Sequence, residues 1–318
     1  MNVLSLFDGI SCAQIALNRI GINYEKYFAS EIEKSSIEVT QHNYPNTIQL
    51  GDVSKINVND LPKIDLLCGG SPCQNLSLAG TMKGMSTKDD VKIINLEQYL
   101  DLKSQGFEFE GQSYLFWEYV RLLKELKPKY FLLENVLMLK EWEDLISENV
   151  GVKPIMINSS LVSGQDRKRL YWTNIPNVIQ PKNKEIQFKD ILDDNPKENL
   201  YLKETYSERY FPTNKYKLDK FKSCVIGKLS KYQGDRVFDV DGKSSSLNAN
   251  GGNNGGGGCN IIFDPKTNKL RKLSVNECEK LQTVPVNYTS IAKPSNSYKM
   301  LGNGWTVDVI AHIFKNIK

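Results

Sequence analysis

Histidine is the scarcest chemistry-bearing residue in this 318-residue sequence, which holds only His42 and His312. The six cysteines, at positions 12, 68, 73, 224, 259 and 278, show no paired C-x-x-C spacing. These two shortages argue against a disulfide framework and against a structural zinc site, so no metal is expected. They also leave any reactive cysteine without a nearby histidine base, which disfavours a papain-like mechanism. No run of about 18 apolar residues occurs, so no membrane span is expected. The opening MNVLSLFDGI lacks a basic leader and a small-residue cleavage site; a cytoplasmic protein is the expectation.

Excess charge is scarce too. A net +4 is too small to announce a nucleic-acid binder. Its distribution says more: residues 196–236 hold ten Lys/Arg against five Asp/Glu, with five Tyr and two Phe interleaved. This stretch is either a solvated lysine-rich face or a phosphate-contacting surface with stacking residues. Hydrophobic residues at 40% and charged residues at 25% are ordinary for a globular chain, long enough for one α/β domain and a smaller companion.

Short apolar runs alternate with amphipathic segments in the first half. Strands are expected at VLSLF (3–7), KYFAS (26–30), around 48–50, at IDLLCGG (64–70) and at KYFLLEN (129–135). Helices are expected near 12–20, 33–43 and 116–126. Such alternation implies a parallel sheet, whose ligands sit beyond the carboxyl ends of its strands. Phe7-Asp8-Gly9, Glu31, Asp52, Ser71-Pro72-Cys73 and Glu134-Asn135 all fall at those ends. Beyond about residue 172 periodicity weakens, and 251–258 supply six glycines. Helical periodicity returns at 274–282 and 307–317.

Gly9 after an apolar strand suits close approach of a cofactor to backbone N–H groups. Ser11 and Ala13 stand near where a dinucleotide fingerprint would need glycines, so NAD binding is poorly supported. Glu31 suits acceptance from ribose hydroxyls and Asp52 from an adenine amino group, although each is individually compatible with a loop or capping role. In GGSPC, Pro72 fixes the backbone before Cys73 and the glycines allow close approach. A thiolate and a carboxylic acid, Cys73 and Glu134, suit conjugate addition to an electron-poor ring.

GGSPCQ, LLENV, QDRKRLYW (165–172), RKLSVNECEKLQ (271–282) and LGNGW (301–305) occur in the order and rough spacing of the cytosine carbon-5 DNA methyltransferases. The sequence resembles that family over nearly its whole length, most weakly across 173–235. FDGI and GNGW look more like the animal de novo enzymes and related phage proteins than the bacterial FxGxG form. The resemblance implies an α/β fold: a Rossmann-like S-adenosylmethionine-dependent methyltransferase sheet with helices on both faces, plus a smaller irregular target-recognition domain. It implies a catalytic domain at 1–172, completed by 288–318, and target recognition at 173–287.

By the same resemblance Cys73 is the nucleophile, Glu134 holds the cytosine ring, and Arg167 and Arg169 hold its exocyclic oxygen. The alternation in Gln-x-Arg-x-Arg would put all three side chains on one strand face. S-adenosylmethionine would meet Phe7, Asp8, Gly9 and Ile10, then Glu31 and Ile32, then Asp52 and Val53. Gly70, Pro72, Leu115, Asn303, Gly304 and Trp305 would complete its contacts. The expected partner is double-stranded DNA, with a cognate restriction endonuclease as a further candidate and a monomer as the expected state. Lysine- and asparagine-rich usage points to a bacterial or phage genome. Two departures stand out: Ser246-Leu247 replaces the usual Thr-Leu, and the segment after Gln74 is long, with helical periodicity at 91–103. A transfer-RNA methyltransferase of the same family would carry a Cys-Phe-Thr motif, which does not occur here. A catalytically dead DNA-binding regulator is the other alternative, disfavoured by the intact Cys73, Glu134, Arg167 and Arg169.

Overall fold

In the computed structural model the described residues are all of 1–318 except 73–85, 87, 89–90, 110, 209, 214–216, 231–234 and 250–259. The elements run β1 (Asn2–Leu6), α1 (Cys12–Arg19), β2 (Lys26–Ser30), α2 (Lys34–Asn43), β3 (Ile48–Gln49) and β4 (Leu66–Gly69). They continue α3 (Leu96–Ser104), α4 (Phe116–Leu126), β5 (Tyr130–Val136), α5 (Lys140–Val150), β6 (Ile155–Asn158), β7 (Gln165–Asp166) and β8 (Lys168–Thr173). Next are α6 (Glu204–Ser207), β9 (Phe211–Pro212), β10 (Val225–Lys228), β11 (Arg236–Phe238), β12 (Ser244–Ser245), β13 (Ile261–Phe263) and β14 (Leu270–Lys272). Three helices close the chain: α7 (Val275–Leu281), α8 (Pro294–Asn303) and α9 (Val307–Phe314).

The chain divides into two units. The first comprises Met1–Ile157, Lys168–Ile179 and Ile313–Lys318, and the second Asn158–Arg167 and Gln180–His312. Residues 288–312, assigned to the catalytic domain on sequence, fall in the second unit.

Seven strands order as β3-β2-β1-β4-β5-β8-β6. β1 pairs in parallel with β2 and β4, β4 with β5 and β2 with β3, whereas β8 runs antiparallel to β5. On β1, the consecutive residues Val3, Leu4, Ser5 and Leu6 are all at most 1% exposed. Successive strand residues point to opposite faces, so both faces of this sheet are covered, as a parallel sheet requires. One face carries Leu4, Leu6, Leu67 and Leu133 into a core with Phe116, Trp117 and Val120 of α4.

The long segment after Gln74 packs on its own flank where it is described. α3 starts at Asn95, whose Oδ1 accepts from Gln98 N at 2.8 Å, later than the periodicity over 91–103 predicts. Ile93, Leu96 and Tyr99 join the core beside α4. Buried Glu118 of α4 accepts from Tyr99 Oη (2.6 Å), Lys103 Nζ (2.5 Å) and Arg121 Nε (2.7 Å). Burial pushes that carboxyl up, but these bonds hold it below its ordinary value.

The second unit is less regular. Its five-stranded sheet orders β14-β13-β11-β10-β9, all antiparallel except β11 with β13. Leu229, Val237, Ile261 and Leu270 form its small core. A two-stranded parallel sheet joins β7 to β12. α7 begins with a capping box in which Ser274 and Glu277 satisfy each other's backbone N–H groups. Among the described residues no helix is long and apolar enough to cross a membrane, and no cluster of His, Cys, Asp and Glu could hold a metal.

Candidate active site

The first unit gathers its strand ends through short hydrogen bonds. Asp8 N donates to Ser30 O (3.1 Å), and Leu50 N to Ala29 O (2.8 Å). Ser30 Oγ donates to Gly51 O (2.7 Å). Between β1 and α1 the backbone takes left-handed φ at Phe7 (55°), Gly9 (59°) and Ser11 (61°). A Cβ on Gly9 would meet nothing within 4 Å, so this turn presents its backbone to open space where a ligand can approach.

Glu31 braces that turn. Its Oε2 accepts from Gly9 N (2.8 Å) and its Oε1 from Ile32 N (2.7 Å) and Glu33 N (2.8 Å). A carboxylate has about four acceptor sites, so capacity remains for a hydroxyl. Asp52 Oδ1 caps the following turn, accepting from Ser54 N (2.9 Å) and Oγ (2.8 Å). Ile32 is 68% exposed beside them, whereas Ile10 and Val53 are buried. Asp8 is buried and accepts from Tyr27 Oη at 2.7 Å. Its Oδ2 has no partner, and burial raises the carboxyl to about 6 despite the hydrogen bonds that lower it.

At the end of β4, Cβ-less Gly69 lets Leu6 approach: an added Cβ would lie 2.8 Å from Leu6 O. Gly69 pairs with Leu133 of β5, which sets Glu134 and Asn135 one and two residues beyond that register. Asn135 Nδ2 donates to Ser71 Oγ (3.1 Å) and Ser71 O (3.3 Å), holding the backbone just before Pro72. Glu134 Oε1 faces Arg169 Nε of β8 at 3.0 Å, with both side chains largely buried. Arg169 Nη1 also donates to Lys168 O at 2.8 Å. Gly70 and Pro72 are half-buried here, and half-buried Leu115 immediately precedes α4. Cys73 lies outside the described residues.

QDRKR is not one strand, which corrects the expected single face. Gln165-Asp166 belong to β7 and Lys168 to Thr173 to β8, in different sheets. At Arg167 the backbone leaves both: its N donates to Asn158 Oδ1 (3.0 Å) and its O accepts from Ser159 N (2.9 Å). Within the second unit the buried Arg167 guanidinium donates from Nη1 to Ser246 Oγ (2.9 Å) and Leu247 O (2.8 Å). Its Nη2 donates to Gly302 O (3.2 Å) and Gly304 O (3.0 Å). Gln165 Oε1 accepts from Leu247 N at 2.7 Å. Gln282 Nε2 donates to Leu301 O (2.7 Å) and Gly304 O (3.1 Å). Four separated segments are thereby knotted, and Ser246 supplies the hydroxyl that a threonine would. Gly302 permits the knot: a Cβ there would lie 2.3 Å from Asn248 C. Asn303 is exposed, while Gly304 and Trp305 are half-buried.

Sequence reasoning named Asn135, Gln165 and Ser246 within their motifs but gave none of them a bracing role. Nothing in one sequence distinguishes a side chain that braces backbone from one that faces a ligand.

Residues 1–318 match the family described as C-5 cytosine-specific DNA methylase. The chain belongs to that family. The type II methyltransferase M.Bsp6I of Bacillus sp. (strain RFL6) is 27% identical over 336 residues, covering 100% of this chain and 98% of the relative. The orphan methyltransferase M.SPRI of Bacillus phage SPR is 35% identical over 208 residues, 60% of this chain and 42% of its own length. Among solved structures, the Entamoeba histolytica methyltransferase EhMeth superposes with a TM-score of 0.69 at 16% identity, over 100% of this chain and 99% of that one. This C-5 cytosine methylase therefore acts on DNA, with S-adenosylmethionine as the family's methyl donor. The residues at the strand ends fit that donor: an open glycine turn, a braced Glu31 with spare acceptor capacity, a buried unpartnered Asp8 oxygen and a bare Ile32 face.

Proposed function

We propose that this methylase transfers a methyl group to carbon 5 of a cytosine flipped out of duplex DNA at a specific short sequence, through a covalent bond from Cys73 to carbon 6. The observation that carries the reading is the Glu134–Arg169 pair at 3.0 Å, together with the Asn135 brace on Ser71, one strand away and two residues before Cys73.

Carbon 5 of cytosine is a weak nucleophile, so addition at carbon 6 comes first. The Cys73 thiolate forms the S–C6 bond, and the C5=C6 electron pair moves onto carbon 5. Glu134 holds ring nitrogen 3 and the amino group, and Arg169 holds the exocyclic oxygen, where charge develops as the adduct forms. Arg167 acts as a positioning residue through the backbone it binds. When bound, S-adenosylmethionine would supply an electrophilic methyl group to the electron pair on carbon 5; Glu31 would hold its ribose, Asp52 its adenine amino group, and Ile32 would pack against the ring. Loss of the carbon-5 proton then restores the double bond and expels the Cys73 thiolate. A stacked base cannot reach such a site, which is why the target must leave the helix.

We assign target recognition to the second unit, whose basic-aromatic stretch 196–236 suits phosphate and groove contacts. Monomeric action in the cytoplasm fits this scheme. M.Bsp6I's type II designation supports a cognate restriction endonuclease as partner, and M.SPRI's orphan designation supports solitary action.

Methyl-transfer assays on duplex DNA test the scheme. Cys73→Ser is expected to abolish turnover, and Glu134→Gln to slow it by roughly 10²–10⁴ with S-adenosylmethionine affinity spared. Turnover at the normal rate in either variant removes that residue from the mechanism.

A further inference from the structure

Away from the residues assigned to methyl transfer, the second unit carries an exposed turn at residues 217–223, KLDKFKS. Phe221 is 58% exposed and Leu218 39%, and Lys217, Lys220 and Lys222 stand around them against the single Asp219. Exposed apolar side chains grouped on a lysine-rich turn mark a candidate interaction surface.

The turn is held firmly from below. Phe221 N donates to Asp219 Oδ1 (2.9 Å) and Asp219 N to Sγ of buried Cys224 (3.2 Å). Lys222 N donates to Asp219 O (3.1 Å), while Lys243 N donates to Lys222 O (2.9 Å). A Cβ on Gly242 would lie 2.9 Å from Lys222 O and 3.2 Å from Cys224 Sγ, so the backbone beneath presses directly on the turn. Two open hollows of roughly 490 and 620 Å³ flank it, and Leu218, Lys220 and Phe221 line both. The turn thus stands as a ridge between two hollows, with exposed Leu218 and Phe221 lining both. Lys222 is paired with Asp219 at 3.3 Å and Lys189 with Asp241 at 2.7 Å. Lys217 and Lys220 have no ion-pair partner among the described residues.

We propose that this ridge reads duplex DNA: Phe221, with Leu218, packs against base edges in a groove while Lys217 and Lys220 sit on flanking phosphates. The inference rests on the chain acting on duplex DNA and names the side chains that give it sequence preference. Apolar contact with a thymine methyl discriminates between base pairs, whereas lysine–phosphate contacts set affinity and salt dependence without sequence information. Because the turn is already braced, little ordering entropy opposes docking.

Two measurements on the full chain test it. In salt titrations of binding to a 30-base-pair duplex, the double variant Lys217→Gln/Lys220→Gln is expected to lower the slope of log K against log salt by about two, at roughly 0.9 per phosphate contact. Bisulfite sequencing of DNA from an expressing host is expected to show Phe221→Ala methylating with about tenfold weaker discrimination at one base pair of the target, the effect of a lost base contact. A wild-type slope in the lysine variant, as a ridge built for a protein partner would give, overturns the proposal; so does an unchanged target in Phe221→Ala. If the wild-type chain leaves host DNA unmethylated, the catalytic reading fails, while the salt slope still judges the ridge. All three side chains are at the surface, so thermal melts of the variants should match wild type.

Discussion

The strand ends of the first unit gather carboxylates and the polar knot of the second gathers an arginine and amides, and the two are satisfied very differently. At the strand ends, Asp8 Oδ2 is buried without a partner, Glu31 and Asp52 keep spare oxygen capacity, and Ile32 lies bare. In the knot, Arg167 makes four hydrogen bonds, and Gln165 and Gln282 are bonded at both ends of their amides. Unmet capacity marks where a ligand belongs, and complete satisfaction marks where the fold is fastened. Arg167 and Arg169, two residues apart in one motif, fall on opposite sides of that divide.

The contrast breaks most directly at those arginines. Arg167→Ala removes four hydrogen bonds from the knot and takes from the buried Gly302 carbonyl its guanidinium donor; it is expected to cost roughly 3 kcal/mol or more of stability, read as a large fall in melting temperature. Arg169→Lys keeps a cation beside the largely buried Glu134 carboxylate and is expected to melt near wild type but, without the guanidinium fork, to turn over about 10²–10³ times more slowly. A cool-melting Arg169 variant, or a fully stable Arg167 variant, would erase the distinction. Gly302→Ala comes next. Its Cβ would sit within 2.5 Å of backbone at Asn248 and Ala249, and overpacking of this kind costs about 1–3 kcal/mol, again visible in denaturant or thermal unfolding.

Asp8 sharpens the comparison from the other side. Its folded pKa is raised to about 6, so the neutral acid is the form that the fold favours. Its contribution to stability is present at low pH and lost as pH rises through about 6, amounting to about 3 kcal/mol for a shift of roughly two units. Asp8→Asn keeps an acceptor for Tyr27 but cannot ionise; its melting temperature should gain on wild type at pH 8 and not at pH 4. Equal behaviour at both pH values would mean that the carboxyl is not strained by burial. The smallest expected effect is Ser246→Thr, within about 0.5 kcal/mol of wild type in unfolding experiments, since the hydroxyl that meets Arg167 is retained.

Much of the first unit was legible in the sequence because its strands are buried on both faces and read as continuous apolar runs. β2 falls on the expected residues and β1 one residue earlier, and the candidate cofactor residues from Phe7 to Val53 lie at or just beyond strand ends as expected. That Glu134 and Arg169 share a site was anticipated from the motifs, but their antiparallel pairing across β5 and β8 was not, because β8 is separated from β5 by a helix and two strands. The break at Arg167 was illegible for a different reason: alternating residues in QDRKR mimic a strand, and only Asn158 and Ser159, which capture the Arg167 backbone, interrupt it. α5 and α8 were missed, the latter containing glycine and asparagine that weaken a helical pattern.

Cys73 is one of six cysteines and the one that follows the braced Ser71 by two residues in the sequence. Its most direct test is incubation of the intact protein and S-adenosylmethionine with a duplex carrying 5-fluorocytosine at the target. Fluorine cannot leave as the carbon-5 proton does, so a denaturation-resistant protein–DNA adduct should accumulate, map to the peptide containing Cys73, and be absent from Cys73→Ser. An adduct that persists in Cys73→Ser, or that maps to another cysteine, contradicts the account.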